Sequence, residues 1–252
     1  MDIERYLARL DVHSALEPDI ATLRNLHRAH MQMIPFENLD IHLGQKIVLE
    51  EEHLFAKIVD RQRGGICYEL NGLFARLLTD IGFEVALVAA EVFREDRTTG
   101  PLFDHMALLV DFEGDRYLAD VGFGDSFTAP LRLSDTGDQP QDRRVYRIQR
   151  DARTFTVMVG SGASNDAMKP SFKFSTKPRR LSDFNEMCTF HQTSDQSHFT
   201  RKDVCSRATS TGRITLRGTQ LIETDAGARN VVDLASSEER QRALIKHFGI
   251  VL

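Results

Sequence analysis

Apolar positions recur at helical spacing through roughly the first third of the chain, and from Phe83 onward the period shortens toward two. Pro18 opens a segment with Ile20, Leu23, Leu26 and His27 on one side. Leu54, Phe55, Ile58 and Val59 repeat the pattern between Glu50 and Arg63, behind three glutamates that suit a helix N-terminus. The clearest helix follows Gly64 and Gly65. There Leu70, Leu73, Phe74, Leu77, Leu78 and Ile81 fall at three-and-four spacing, and Gly82 stands where a left-handed residue would end the element. This places Cys67 in the first turn. The shorter period predicts strands at 84–93, 105–112, 116–121, 145–148 and 154–159, forming an antiparallel sheet or small barrel. Residues 160–178 read as polar and irregular. Beyond them the pattern predicts a short helix over 181–191 capped by Ser182, a hairpin over 213–223 and a last amphipathic helix over 237–248 before Gly249.

Composition narrows the class. The chain has 252 residues, 41% of them hydrophobic and 27% charged, near the upper limit for one core, so it forms one large domain or two to three small ones. A formal net charge of −5 provides no field for holding nucleic acid or an anionic membrane. The most apolar run, Val85 to Ala90, is far too short to span a bilayer, and the amino terminus shows no export or transit pattern, so a cytoplasmic protein is expected. Three widely spaced cysteines, Cys67, Cys188 and Cys205, fit neither a disulfide framework nor a paired zinc motif and read as reduced thiols. Cys188 reads as packed core and Cys205 as part of a polar loop. His27 and His30 read as lying on a surface-leaning helix without a carboxylate or thiolate companion, and no metal is expected.

Chemistry concentrates in three places. Cys67 in a first helical turn faces unsatisfied backbone N–H groups and the positive end of the helix dipole, which favour thiolate, although a buried free cysteine is also a common small core residue. The two preceding glycines would let the backbone turn sharply and approach a substrate. In the hairpin 105–121, a two-residue turn at Glu113 and Gly114 puts Ala107 opposite Asp120, which leaves His105 and Asp120 as same-face diagonal neighbours about 7–8 Å apart at Cα. A three-residue turn with a bulge would send them to opposite faces. Finally, Gly122-Phe-Gly124-Asp-Ser126 is either a small nest for a phosphate or carbonyl or a glycine-eased bend after a strand, and it lacks the third glycine of a dinucleotide fingerprint.

Taken together, Ile34-Pro-Phe-Glu-Asn38, Arg63-Gly-Gly-Ile-Cys67-Tyr-Glu-Leu-Asn71, His105 before an apolar strand, and Asp120-Val-Gly-Phe-Gly resemble an arylamine N-acetyltransferase in order and spacing over nearly the whole chain. The resemblance implies an α+β fold with a cysteine-protease-like core. Its parts would be an N-terminal helical bundle over 1–82 carrying the nucleophile, a central antiparallel β-barrel over 83–180 carrying His and Asp, and an interdomain helix with a C-terminal α/β lid over 181–252. It implies a Cys67, His105, Asp120 triad and ping-pong transfer of an acetyl group from the co-substrate acetyl-CoA, through a Cys67 thioester, to arylamines, arylhydrazines or arylhydroxylamines. Phe36, Tyr68 and Phe123 would serve the acceptor pocket, and Gly122, Gly124 and Ser126 the CoA, with Thr99, Gly100 and 193–199 as looser contacts. Arg63 with Glu37 or Asn38 would be a structural bridge. Xenobiotic metabolism and a monomer or homodimer belong to the same expectation.

Two rivals carry different chemistry. A transglutaminase-like or papain-like cysteine hydrolase uses the same chain order of Cys, His and Asp, and a non-catalytic binding module could keep the fold without turnover.

Overall fold

The computed structural model describes residues 1–13, 16–142, 144–162 and 168–252. Its first part is helical: α1 (Ile3–Arg9), α2 (Ile20–Met33), the two-residue strand β1 (Phe36–Glu37), α3 (Leu39–His42), α4 (Glu51–Phe55) and α5 (Cys67–Ile81). Asp19 caps α2 by accepting the Thr22 N–H at 2.7 Å. Gly82 ends α5 at φ 113°, a conformation that favours glycine. The predicted segment 50–63 is not a single α-helix. After Phe55 it loosens into a π-helical turn over Ala56–Asp60 that carries Lys57, itself buried.

Strands β2 (Glu84–Val92), β3 (His105–Phe112), β4 (Asp115–Ala119), β5 (Leu131–Arg132), β6 (Gln139–Gln141), β7 (Arg144–Asp151), β8 (Thr154–Ser161) and β9 (Lys169–Ser175) form an antiparallel sheet in the order β5-β4-β3-β2-β9-β8-β7-β6. It curls into a nearly closed barrel around Val88, Leu109, Leu118, Phe127, Ile148, Val157 and Phe172. Glutamine amides bridge the remaining gap. Gln139 accepts from and donates to the main chain of Arg132 at 2.9 and 3.0 Å, and Gln141 does the same at Ala129 at 2.9 and 2.7 Å, imitating the backbone pairs a closed barrel would have.

Strand β9 overturns the irregular reading of 160–178, of which 163–167 lie outside the described residues. Phe172 and Phe174 alternate inward with Lys173 between them, a strand pattern that Pro170 obscured. Pro170 sits beside a shift in the register against β8 between Val157 and Met158, the kind of bulge at which sheets accept proline.

The chain then forms a 3₁₀ turn (Leu181–Phe184) leading into α6 (Asn185–Thr193), and α7 (His198–Arg201). The carboxylate of Asp183, rather than Ser182, caps this entry by accepting the Arg180 N–H at 3.0 Å. Strands β10 (Val204–Ala208), β11 (Gly212–Arg217), β12 (Gln220–Asp225) and β13 (Ala228–Asp233), with α8 (Ser237–Phe248), complete the fold. These strands and β1 make a second antiparallel sheet in the order β1-β10-β11-β12-β13. Leu244 and Phe248 of α8 pack on Leu216 and Leu221 to form its core. Among the described residues no helix is long and apolar enough to cross a membrane.

The β3–β4 hairpin decides the site. Phe112 pairs with Asp115 and Leu108 with Ala119, so the turn has two residues, and both Glu113 (φ 50°) and Gly114 (φ 82°) are left-handed. A glutamate pays a steric cost at that position. Glu113→Asn is expected to raise stability by about 1 kcal/mol with unchanged activity, read from urea unfolding midpoints.

Candidate active site

Cys67 is the first residue of α5 and only 3% exposed. Burial pushes its thiol well above the ordinary cysteine range; a Met106 main-chain hydrogen bond opposes this, while the Asp120 and Asp104 carboxylates add to it. Burial therefore opposes the thiolate that the helix start favours, which gives a nearby base its role.

Asp120 supplies the frame for that base. The residue is fully buried just beyond β4, and its Oδ2 lies 2.8 Å from Nε2 of His105, itself 3% exposed. Its Oδ1 accepts the Asn71 amide and the Gly122 N–H, each at 2.9 Å. With His105 Nε2 committed to Asp120, Nδ1 is the nitrogen left for exchange with a nucleophile. Asn71 stands four residues after Cys67, one turn along α5. Its Nδ2 also donates to the Met106 carbonyl at 2.7 Å, and its Oδ1 accepts the Val121 N–H at 2.9 Å. One side chain thus binds the cysteine helix to the strand of His105 and to the Asp120 loop. In the sequence the only signal for this role is the one-turn spacing of Asn71 from Cys67.

Gly122 closes the same seam. A Cβ there would lie 2.7 Å from Cys67 Cα and 2.7 Å from Asn71 Nδ2, so only glycine lets the loop rest on the helix start. Gly64 and Gly65 act in a similar way and do not make a left-handed turn. Their missing side chains leave room for the Pro35 carbonyl and the Glu69 side chain.

Beneath Cys67 lies a buried charge network. Arg63 reaches Glu37 and Asp40, each at 2.8 Å, and Lys57 reaches Asp40 and Glu69, each at 2.8 Å. Glu69 also receives the Ile66 N–H at 2.9 Å, which fixes the residue preceding the cysteine. Burial works to lower Lys57, but the carboxylates of Glu69, Glu37 and Asp40 outweigh it and hold the ammonium above its ordinary range. The Arg63 bridge is thus with Glu37. Asn38 has a different partner set: its amide donates to the Phe199 and Lys202 carbonyls at 2.9 and 3.0 Å and accepts the Val204 N–H at 2.7 Å.

A cleft of about 1430 Å³ opens between the barrel, the 190–202 segment and the second sheet. Phe36, Phe123, Gly124 and Phe199 line it. Phe123 also meets the edge of the His105 ring at 5.0 Å, so the cleft and the His105–Asp120 pair share a wall. Arg94, Arg201, Lys202 and Arg217 also line the cleft, with the Asp96 carboxylate near Arg94. Tyr68 does not line it: the residue is fully buried, its hydroxyl donates to the Phe103 carbonyl at 2.7 Å, and its ring packs on Phe184 and His191. Gly122 lies against Cys67, and Ser126 belongs to a separate pocket of about 170 Å³. Of the looser contacts, Gln196 to Phe199 line the cleft, whereas Thr99 bonds Glu91 and Gly100 packs on Asp104.

His27 and His30 are both fully buried rather than surface-leaning. His27 Nε2 accepts the Asp120 N–H at 3.1 Å, and His30 Nε2 lies 3.1 Å from the Tyr6 hydroxyl. Burial pushes His27 down to about 4 and His30 well below its ordinary value. Cys205 is not in a polar loop but buried in β10; burial pushes its thiol up and pushes Cys188 up to about 12.

A family model described as N-acetyltransferase matches residues 19–252. The arylamine N-acetyltransferase of Mycolicibacterium smegmatis is 36% identical over 260 residues, covering 100% of this chain and 93% of the relative. A pineal gland arylamine N-acetyltransferase isozyme of Gallus gallus is 33% identical over 275 residues, covering 100% and 95%. Among solved structures, the Salmonella typhimurium arylamine N-acetyltransferase superposes with a TM-score of 0.92 at 32% identity, covering 98% of this chain and 90% of the other. The Mycobacterium marinum enzyme in complex with CoA gives 0.90 at 32% identity, covering 99% and 93%.

Two outcomes are expected. Gly122→Ala would push the loop from α5, costing about 1–3 kcal/mol and slowing alkylation of Cys67, read by thermal melts and iodoacetamide kinetics. For His27, the unfolded chain takes a proton near pH 6.5 and the folded chain only near 4, so stability falls as pH drops through that window. His27→Gln is expected to remove about 3 kcal/mol of the acid loss between pH 7 and pH 4, measured by urea unfolding.

Proposed function

The chain belongs to the arylamine N-acetyltransferase family and is an acetyl-CoA:arylamine N-acetyltransferase, and we propose that it works by ping-pong transfer through a Cys67 thioester. His105 takes the Cys67 proton as the sulfur attacks the acetyl carbonyl of acetyl-CoA. The bond from that carbonyl to the CoA sulfur breaks, His105 returns the proton to it, and CoA leaves with the acetyl group on Cys67. An aromatic amine then attacks the thioester carbonyl. His105 takes the amine proton, the carbonyl–Cys67 bond breaks, and the sulfur recovers its proton from His105.

The observation that carries this reading is the 2.8 Å Asp120–His105 contact, made by the same carboxylate that Asn71 ties to the cysteine helix. Asp120 orients the ring and stabilises its protonated form, which a raised Cys67 thiol requires. Phe36 and Phe123 give a flat acceptor its apolar walls. CoA occupies the cleft past Gly124, where Arg94, Arg201, Lys202 and Arg217 meet its phosphates. Residues 1–82 would carry the nucleophile, 83–180 the base and its orienter, and 181–252 the cover over CoA. In the cell, such an enzyme would modify xenobiotic aromatic amines in the cytoplasm. A cysteine hydrolase would need water where the acceptor pocket is aromatic, and the relatives do not favour it.

Intact mass after mixing wild type with acetyl-CoA alone is expected to show one acetyl adduct, absent in Cys67→Ala and discharged by an arylamine. Asp120→Asn is expected to slow adduct formation by about 10³–10⁴. A wild type that turns over without an adduct would overturn the covalent route.

A further inference from the structure

Asp120 places a demand that the triad does not meet. Its partner in the β3 ladder would follow Leu108 and Ala119, the last pair, so its main-chain N–H has no sheet acceptor in a fully buried position. The N–H is met from 93 residues away, by Nε2 of His27 on α2 at 3.1 Å. We infer that His27 is a positioning residue for acetyl transfer, the fixed acceptor that holds the Asp120 main chain so that its carboxylate faces His105. The inference rests on the proposed triad and goes beyond it to a residue that touches no substrate.

The ring is held for this task. It stacks on Phe127 with centroids 5.7 Å apart and planes 16° apart, and it meets Phe74 edge-on at 6.3 Å. An imidazole that accepts at Nε2 carries its single proton on Nδ1 and must be neutral. Burial, which pushes His27 down to about 4, keeps it so through neutral pH. The charged and titratable groups around it are Asp120 on the barrel side and Arg28 and His30 on its own helix, with Tyr6 of α1 reaching His30.

Loss of this acceptor would act through orientation. An Asp120 N–H left without a partner costs free energy that a peptide rotation would relieve. The rotation would move the side chain that takes the Asn71 amide, the Gly122 N–H and the His105 ring together. Displacements of about 1 Å in such a constellation cost on the order of 10²-fold in rate.

The test compares His27→Leu, which fills the site without an acceptor, with His27→Gln, whose amide oxygen reaches the place of Nε2. Asp120→Asn serves as the reference. Two readouts are taken on the full chain: the pH profile of Cys67 alkylation by iodoacetamide, and kcat and KM for acetyl transfer from acetyl-CoA to an arylamine. The expected result is a ten- to hundredfold loss of alkylation rate at neutral pH and of kcat in His27→Leu, with both KM values within about threefold, and recovery to within about threefold of wild type in His27→Gln. Equal losses in Leu and Gln variants, or a His27→Leu enzyme with native rates, would overturn the inference and leave His27 as packing. If the Leu variant does not fold, His27→Asn, whose amide is too short to reach the N–H, takes its place with the same expected loss. An Asp120→Asn enzyme with a native alkylation rate would instead bring down the triad itself.

Discussion

A carboxylate with no access to solvent has to be satisfied by its surroundings, and the architecture around Asp120 is arranged to do so. Such a group left bare would cost several kcal/mol, far more than any single packing contact returns. Its two oxygens are shared between His105, Asn71 and Gly122, and its main-chain N–H is taken by His27. These partners come from β3, α5, the loop after β4, and α2. The helical part and the barrel are thereby joined at one buried anion, and each element that meets it is placed in relation to His105.

The second constraint concerns where α5 begins. Helix propensity alone would not hold Cys67 to a fraction of an ångström. Arg63 and Lys57 do so from beneath, through Glu37, Asp40 and Glu69, while the absent side chains of Gly65 and Gly122 allow close approach on either side. Buried ion pairs of this kind add little net stability compared with apolar packing. Here they specify a position. The same short segment that supplies Glu37 also gives Phe36 to the cleft and pairs with β10, so the Pro-Phe-Glu-Asn stretch connects the charge network, the cleft wall and the second sheet.

Burial of the sulfur has a chemical consequence. Burial works against ionisation of the Cys67 thiol, so its nucleophilicity depends on a base aligned to take its proton. Reactivity is thereby made conditional on geometry. That geometry depends on several hydrogen bonds remote from the sulfur.

The element types were largely legible from the chain. Three-and-four spacing defined α5 with Gly82 as its end, alternation defined β2, β3, β7 and β8, and Glu113-Gly114 made a two-residue turn available, which aligned His105 with Asp120. Local periodicity carries that much because it reflects which face is buried. It failed where the local signal was broken by a bulge, as at Pro170 in β9, or was absent, as in the wholly exposed β13. It also misjudged His27 and His30, whose polar atoms find partners only after distant segments meet. The chain by itself determined which residues could do chemistry and which elements carry them. Only the tertiary structure decided which buried polar atoms pair across 93 residues, because that choice depends on which distant segments are packed against one another and not on any local pattern.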